Sequence, residues 1–176
     1  MRRSFAVLLL AGLGCIEGAS RGPGPSSRID KLFGGPDNAD IVASPERVEA
    51  VKLRRPGRDQ ESKPYNQWAQ IGEPVRVPSD VVSRFAKGLT SQSTYPRGDT
   101  PKSCDPVPGY LLRFWADGRS IEVCFCFECS ILFTYRGPDS LWYANFDESE
   151  KSIASLFLKV FPADETLRRI AEKGNP

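Results

Sequence analysis

Between Tyr110 and Phe146 the chain alternates apolar segments with turn signals, and this stretch leaves few folds open. Tyr110 to Trp115 reads as a strand, and Ala116-Asp117-Gly118-Arg119 carries the Asp-Gly pair that suits a tight hairpin. Ser120 to Phe127 alternates with period two, and Ser130 to Tyr135 continues as strand. Arg136-Gly137-Pro138-Asp139 then turns the chain into Leu141 to Phe146. Connections this short join antiparallel neighbours, so a meander is expected.

Helices should cover it. Asp147 to Ser149 caps a segment on which Ile153, Leu156, Phe157, Val160 and Phe161 form one apolar stripe. Pro162 ends that helix, and Asp164 to Lys173 makes a last short one. Upstream, Val48 to Leu53 is a modest strand candidate, and Ser79 stands as cap of a helix presenting Val81, Val82, Phe85, Ala86 and Leu89 on one face. Residues 54–67 and 90–108 read as loops. The expected architecture is α+β, a small antiparallel β-meander covered on one face by helices.

The N-terminal segment has another character. Met1-Arg2-Arg3 is cationic, and Phe5 to Gly14 is an apolar run of about ten residues, too short to span a bilayer and right for a secretory signal. Residues 1–14 are therefore expected to be a signal peptide, cut after Gly14 or after Ala19. Gly12-Leu13-Gly14-Cys15 also resembles the bacterial lipoprotein signal, whose cysteine is lipidated after cleavage. Gly14 fits that pattern, whereas Gly12 stands where the family has Leu, Val or Ile. Cys15 is thus a lipidation candidate. Residues 15–44 hold Gly22, Pro23, Gly24, Pro25, Gly34, Gly35 and Pro36 and read as a disordered flexible linker, leaving 45–176 as a single domain. The protein is expected outside the cytoplasm: periplasmic, membrane-anchored through a lipid on Cys15, or secreted.

Charge and composition narrow the function. Without Arg2 and Arg3, the 24 basic residues fall to 22, matching the 22 acidic ones, so nothing favours nucleic acid or an acidic membrane surface. The sequence names no partner. Histidine is absent altogether, which removes Ser-His-Asp and Cys-His triads, His-ligated zinc hydrolases and His proton relays. Carboxylates, Lys and Cys remain, but they form no recognisable catalytic constellation, and the expectation leans away from an enzyme. Asp147, Glu148 and Glu150 sit at a helix N-terminus, where capping and dipole compensation account for them. Trp68, Trp115 and Trp142 read as core.

One cluster carries chemistry. With Cys15 assigned to the N-terminal signal, Cys104, Cys124, Cys126 and Cys129 remain. In an exported chain four cysteines suggest two disulfides, yet they also complete a tetrahedral shell for Zn or Cu(I). Cys126-Phe127-Glu128-Cys129 has the spacing of a redox pair, but it runs into strand-like Ser130 to Phe133 rather than a helix. On one unbroken strand Cys124 and Cys126 share a face about 7 Å apart, too far for an easy disulfide. Cys129 would face the opposite way, with the Phe residues. A bulge or turn at Phe127 to Cys129 lets Cys126 meet Cys129 and leaves Cys104 for Cys124. Structural disulfides, with Cys104 bonded to one cluster cysteine and no cofactor, are the favoured reading; Zn or Cu(I) handling and thiol redox work are the alternative, and free thiols that simply pack are the remaining one.

The run from Cys104 through Pro108-Gly109, Phe114 and Val123 to Cys126-Phe127-Glu128-Cys129, closing with Phe161-Pro162-Ala163-Asp164, resembles a group of small bacterial exported proteins. They share a C…PG…F…CFxC arrangement, a following helix and a Phe-Pro-x-Asp stop, with Cys124 an extra cysteine here. The resemblance covers the C-terminal half and implies no activity.

Overall fold

The computed structural model describes residues 27–57, 63–96 and 102–173, in which a six-stranded antiparallel sheet carries five α-helices. Helices α1 (Arg28–Phe33) and α2 (Pro36–Ala43) come first, followed by strands β1 (Arg47–Arg54) and β2 (Ala69–Arg76) and helix α3 (Ser79–Leu89). Strands β3 (Tyr110–Ala116), β4 (Arg119–Cys126), β5 (Ile131–Arg136) and β6 (Asp139–Asn145) come next, and α4 (Glu150–Val160) and α5 (Glu165–Glu172) close the fold. The sheet order is β2-β1-β3-β4-β5-β6, so the expected meander β3 to β6 is present with two strands added beside β3. Asp117 at φ 50° and Gly118 at φ 70° make the first hairpin turn, the paired left-handed residues that match strand twist.

The alternation decides what each face does. Val48, Ala50, Leu112, Phe114, Ile121, Val123, Phe125 and Leu132 are all buried in the core beneath the helices, beside Phe33, Phe85, Ile153 and Phe157. Phe125 and Phe85 each meet Phe157 at 5.1 Å between ring centres. Such edge-on pairs add about 0.5–1.5 kcal/mol beyond the area they bury. The opposite face holds a smaller cluster of Val51, Leu53, Leu111, Cys124 and Tyr135, against which Tyr65 and Phe133 pack. Helices cover one face, as expected.

Residues 27–44 correct the expected linker. Ser27 and Asp30 cap α1 reciprocally, and Gly34 ends it at φ 71°. Pro36 opens α2, so the Gly34-Gly35-Pro36 run is a helix stop and start rather than a tether. Ile29, Leu32, Phe33, Ile41 and Val42 are buried in the main core, which a linker's residues would not be. The folded unit therefore includes residues from 27 onward. The expected signal peptide at 1–14, Cys15 and the linker through residue 26 lie outside the described residues.

Smaller departures have local causes. Strand β2 carries Gly72 and Pro74 and forms a fully exposed sheet edge, where a missing N–H is tolerated. Its register against β1 shifts between Ala50 and Lys52. Ser79 is the first residue of α3, and Pro78 occupies the cap without a side-chain bond. Trp68 is buried, but Trp142 is 41% exposed on the edge strand β6, beneath the Lys31 ammonium at 4.0 Å.

Candidate functional site

The cysteine cluster is assembled at one end of β4. The strand stops at Cys126, residues 127–130 turn, and Ile131 pairs back against Cys126. Ser130 takes a left-handed φ of 48°, which lets the four-residue connection close. Phe127 goes to the helix side, against Phe157, whereas Cys129 joins Cys126 and Ile131 in a small cluster on the other face. The expected interruption of the strand is therefore present.

A strap of residues 102–109 lies across this end. Gly109 donates its N–H to the Phe125 carbonyl at 3.0 Å, and Val107 donates to the Cys126 sulfur at 3.3 Å. The Lys102 ammonium reaches the Cys129 carbonyl at 2.5 Å and the Asp147 carboxylate at 2.6 Å. These contacts carry Cys104 to the turn, where it forms a disulfide with Cys129, their Cα atoms 6.3 Å apart. Cys124 and Cys126 are buried free thiols.

Cys104 is thus bonded to one cluster cysteine, but two expected pairings do not form. Cys126 does not bond Cys129, whose sulfur is taken by Cys104, so the expected redox pair is not closed. Cys104 does not bond Cys124, because the strap crosses β4 at Cys126, two residues beyond it. Cys124 instead stands opposite Leu111 and Phe133 in a different cluster. Burial pushes the Cys124 thiol well up from its ordinary value, the Glu122 carboxylate adds to that, and Arg113 opposes it. A thiol held neutral is a poor nucleophile and a poor metal ligand. Among the described residues no three Cys, Asp or Glu side chains converge as a metal shell would.

Beside Cys124 lies a polar network that sequence patterns gave no means to find. Glu122 is buried and accepts from Arg113 Nε and from Asn66 Nδ2. Asn66 also donates to the Gly137 carbonyl at 2.7 Å, tying the segment before β2 to the β5–β6 turn. A buried carboxylate with these donors has its hydrogen bonds filled, which suits a structural clasp. The acidic run behaves alike: Asp147 bonds Lys102 and Glu150 accepts from Ser130.

Aromatic rings run from this network to the sheet edge. Trp68 meets Tyr65 at 5.0 Å, Tyr65 meets Phe133 at 4.7 Å, and Phe133 meets Tyr143 at 6.3 Å. Tyr143 is 48% exposed. Phe133 shares this face as the cross-strand partner of Cys124, but the contribution of Tyr65 came from a loop without periodicity.

No family model, curated protein or solved structure matches this chain. Its site must therefore be read from its own geometry. Among the described residues, two clefts lie away from the cysteines: one of about 390 Å³ opens between α3 and α4 over Phe85, Leu89, Ile153 and Leu156, and one of about 280 Å³ lies between Phe127 and α5. No cysteine lines either. Among the described residues, no helix is long and apolar enough to cross a membrane.

Proposed function

We propose that this chain is an exported, non-enzymatic domain that presents one face of a disulfide-stapled sheet for binding. The Cys104–Cys129 disulfide carries the reading, because such bonds persist where the medium is oxidising. The cationic and apolar start of the chain supplies the route out of the cytoplasm, and Cys15 is the position that would take a lipid anchor. Absence of histidine and the neutral, buried setting of Cys124 argue against acid–base or thiolate catalysis at this end of the sheet. The β6 edge, with Tyr143 and Trp142 exposed, is a surface the domain would offer for recognition, and the β2 edge also exposes Ile71 and Val75. Metal handling has no specific support here.

Expression of the full chain and of a version lacking residues 2–14, followed by cell fractionation and intact mass, tests the proposal. The full chain should be recovered outside the cytoplasm, shortened at Gly14 or Ala19, or with a diacylglyceryl mass on Cys15. Full-length material retained in the cytoplasm with Met1 attached and every cysteine reduced would contradict it.

A further inference from the structure

Cys126 has no role in the staple, yet it is wholly buried against it. It shares a cluster with Cys129, and its sulfur accepts the Val107 N–H from the strap that brings in Cys104. Cys104 is exposed at its end of the bond, while Cys129 is 5% exposed. A third sulfur beneath one end of a disulfide is the arrangement thiol–disulfide exchange requires.

We propose that Cys126 exchanges with this disulfide, moving the bond from Cys104–Cys129 to Cys126–Cys129. The Cys126 thiolate attacks Sγ of Cys129; the new S–S bond forms as the old one breaks, and the electron pair leaves on Cys104. The proton given up by Cys126 ends on Cys104. No electrons are gained or lost, so the step needs no oxidant. Residues three apart across a turn have Cα atoms within about 7 Å, against a usual disulfide span of about 4.4–6.8 Å. The product therefore fits the turn already present at 127–130.

Exchange trades a buried thiol for an exposed one. The strap would then be held by its hydrogen bonds through Gly109, Val107 and Lys102 and by the Arg55–Asp105 ion pair, and Cys104 would be free to form a mixed disulfide with another protein's cysteine. The inference rests on the reading of an oxidised, exported domain.

Glu-C cleavage resolves the states, because Glu122 and Glu128 separate Cys104, the Cys124/Cys126 pair and Cys129 into peptides 62–122, 123–128 and 129–148, the Glu73–Pro74 bond staying uncut. The purified oxidised protein is held in mildly alkaline buffer with N-ethylmaleimide, quenched in acid at intervals and digested. Labelled Cys104 should accumulate in 62–122 while 123–128 becomes joined to 129–148. Cys126→Ala and Cys126→Ser should each slow Cys104 labelling about tenfold or more. The wild-type 123–128 to 129–148 link reads the product directly, even where a variant folds poorly. A Cys104–Cys129 link that stays intact throughout, or equal labelling in wild type and variants, would overturn the exchange alone. Absence of any disulfide at the first time point would overturn the exported, oxidised reading along with it.

Discussion

Val107 donates its backbone N–H to the sulfur of Cys126, so the strap bearing Cys104 rests on the last residue of β4. That contact and the Lys102 bridge to Cys129 and Asp147 hold the strap against this end of the sheet beside the disulfide. The disulfide then closes a loop spanning a sequence separation of 25 that contains β3 and β4.

Removing the bond should therefore weaken the domain without changing its fold. Replacing Cys104 and Cys129 together by Ser is expected to cost about 2–4 kcal/mol through the freed unfolded chain. Urea unfolding should show a lower midpoint, and the far-ultraviolet circular dichroism of the folded state should be unchanged.

Phe33 tests whether the N-terminal helices belong to the core. Its ring is 0% exposed and sits in the main cluster under the sheet. Phe33→Ala should destabilise the protein by about 3–5 kcal/mol, the usual cost of emptying a buried aromatic site. A change within experimental error would restore the linker interpretation of this segment.

Asp164 supplies a pH dependence. Burial would raise its carboxyl, but the Lys52 ammonium at 2.6 Å, the Leu167 N–H and the Tyr110 hydroxyl together hold it below the ordinary carboxylate value. A folded value below the unfolded one gives stability that is present above the unfolded value and lost as pH falls through the folded one. Asp164 also caps α5 through Thr166 and Leu167. Asp164→Asn should cost about 1–3 kcal/mol at neutral pH, and the gap from wild type should shrink at acid pH, below the ordinary carboxylate range. Urea titrations at both pH values check it.

The elements legible in the sequence were those whose neighbours in space are also neighbours in the chain. The Asp117-Gly118 turn and the alternation of Ile121, Val123 and Phe125 announce a hairpin with one buried face, and the structure has it. Phe157 and Ile153 repeat at helical spacing and land on that face. Strand β2 was silent because an edge strand buries nothing, and Gly72 and Pro74 erase any pattern. Helices α1 and α2 were hidden by Gly34-Gly35-Pro36, which has a tether's composition but here marks helix ends. The cysteines show the limit most clearly. Spacing along β4 separates Cys124 from Cys126, but which of them faces Cys104 depends on a strap held by Val107, Gly109 and Lys102. Nothing local to Cys104 encodes where that strap crosses.

A non-reducing Glu-C peptide map of the protein recovered from outside the cytoplasm tests the central claim most directly. The account predicts peptide 62–122 cross-linked to 129–148, with both cysteines of 123–128 free. Freshly isolated protein that yields 62–122 with Cys104 alkylated and no partner, or cross-linked to 123–128, would contradict it.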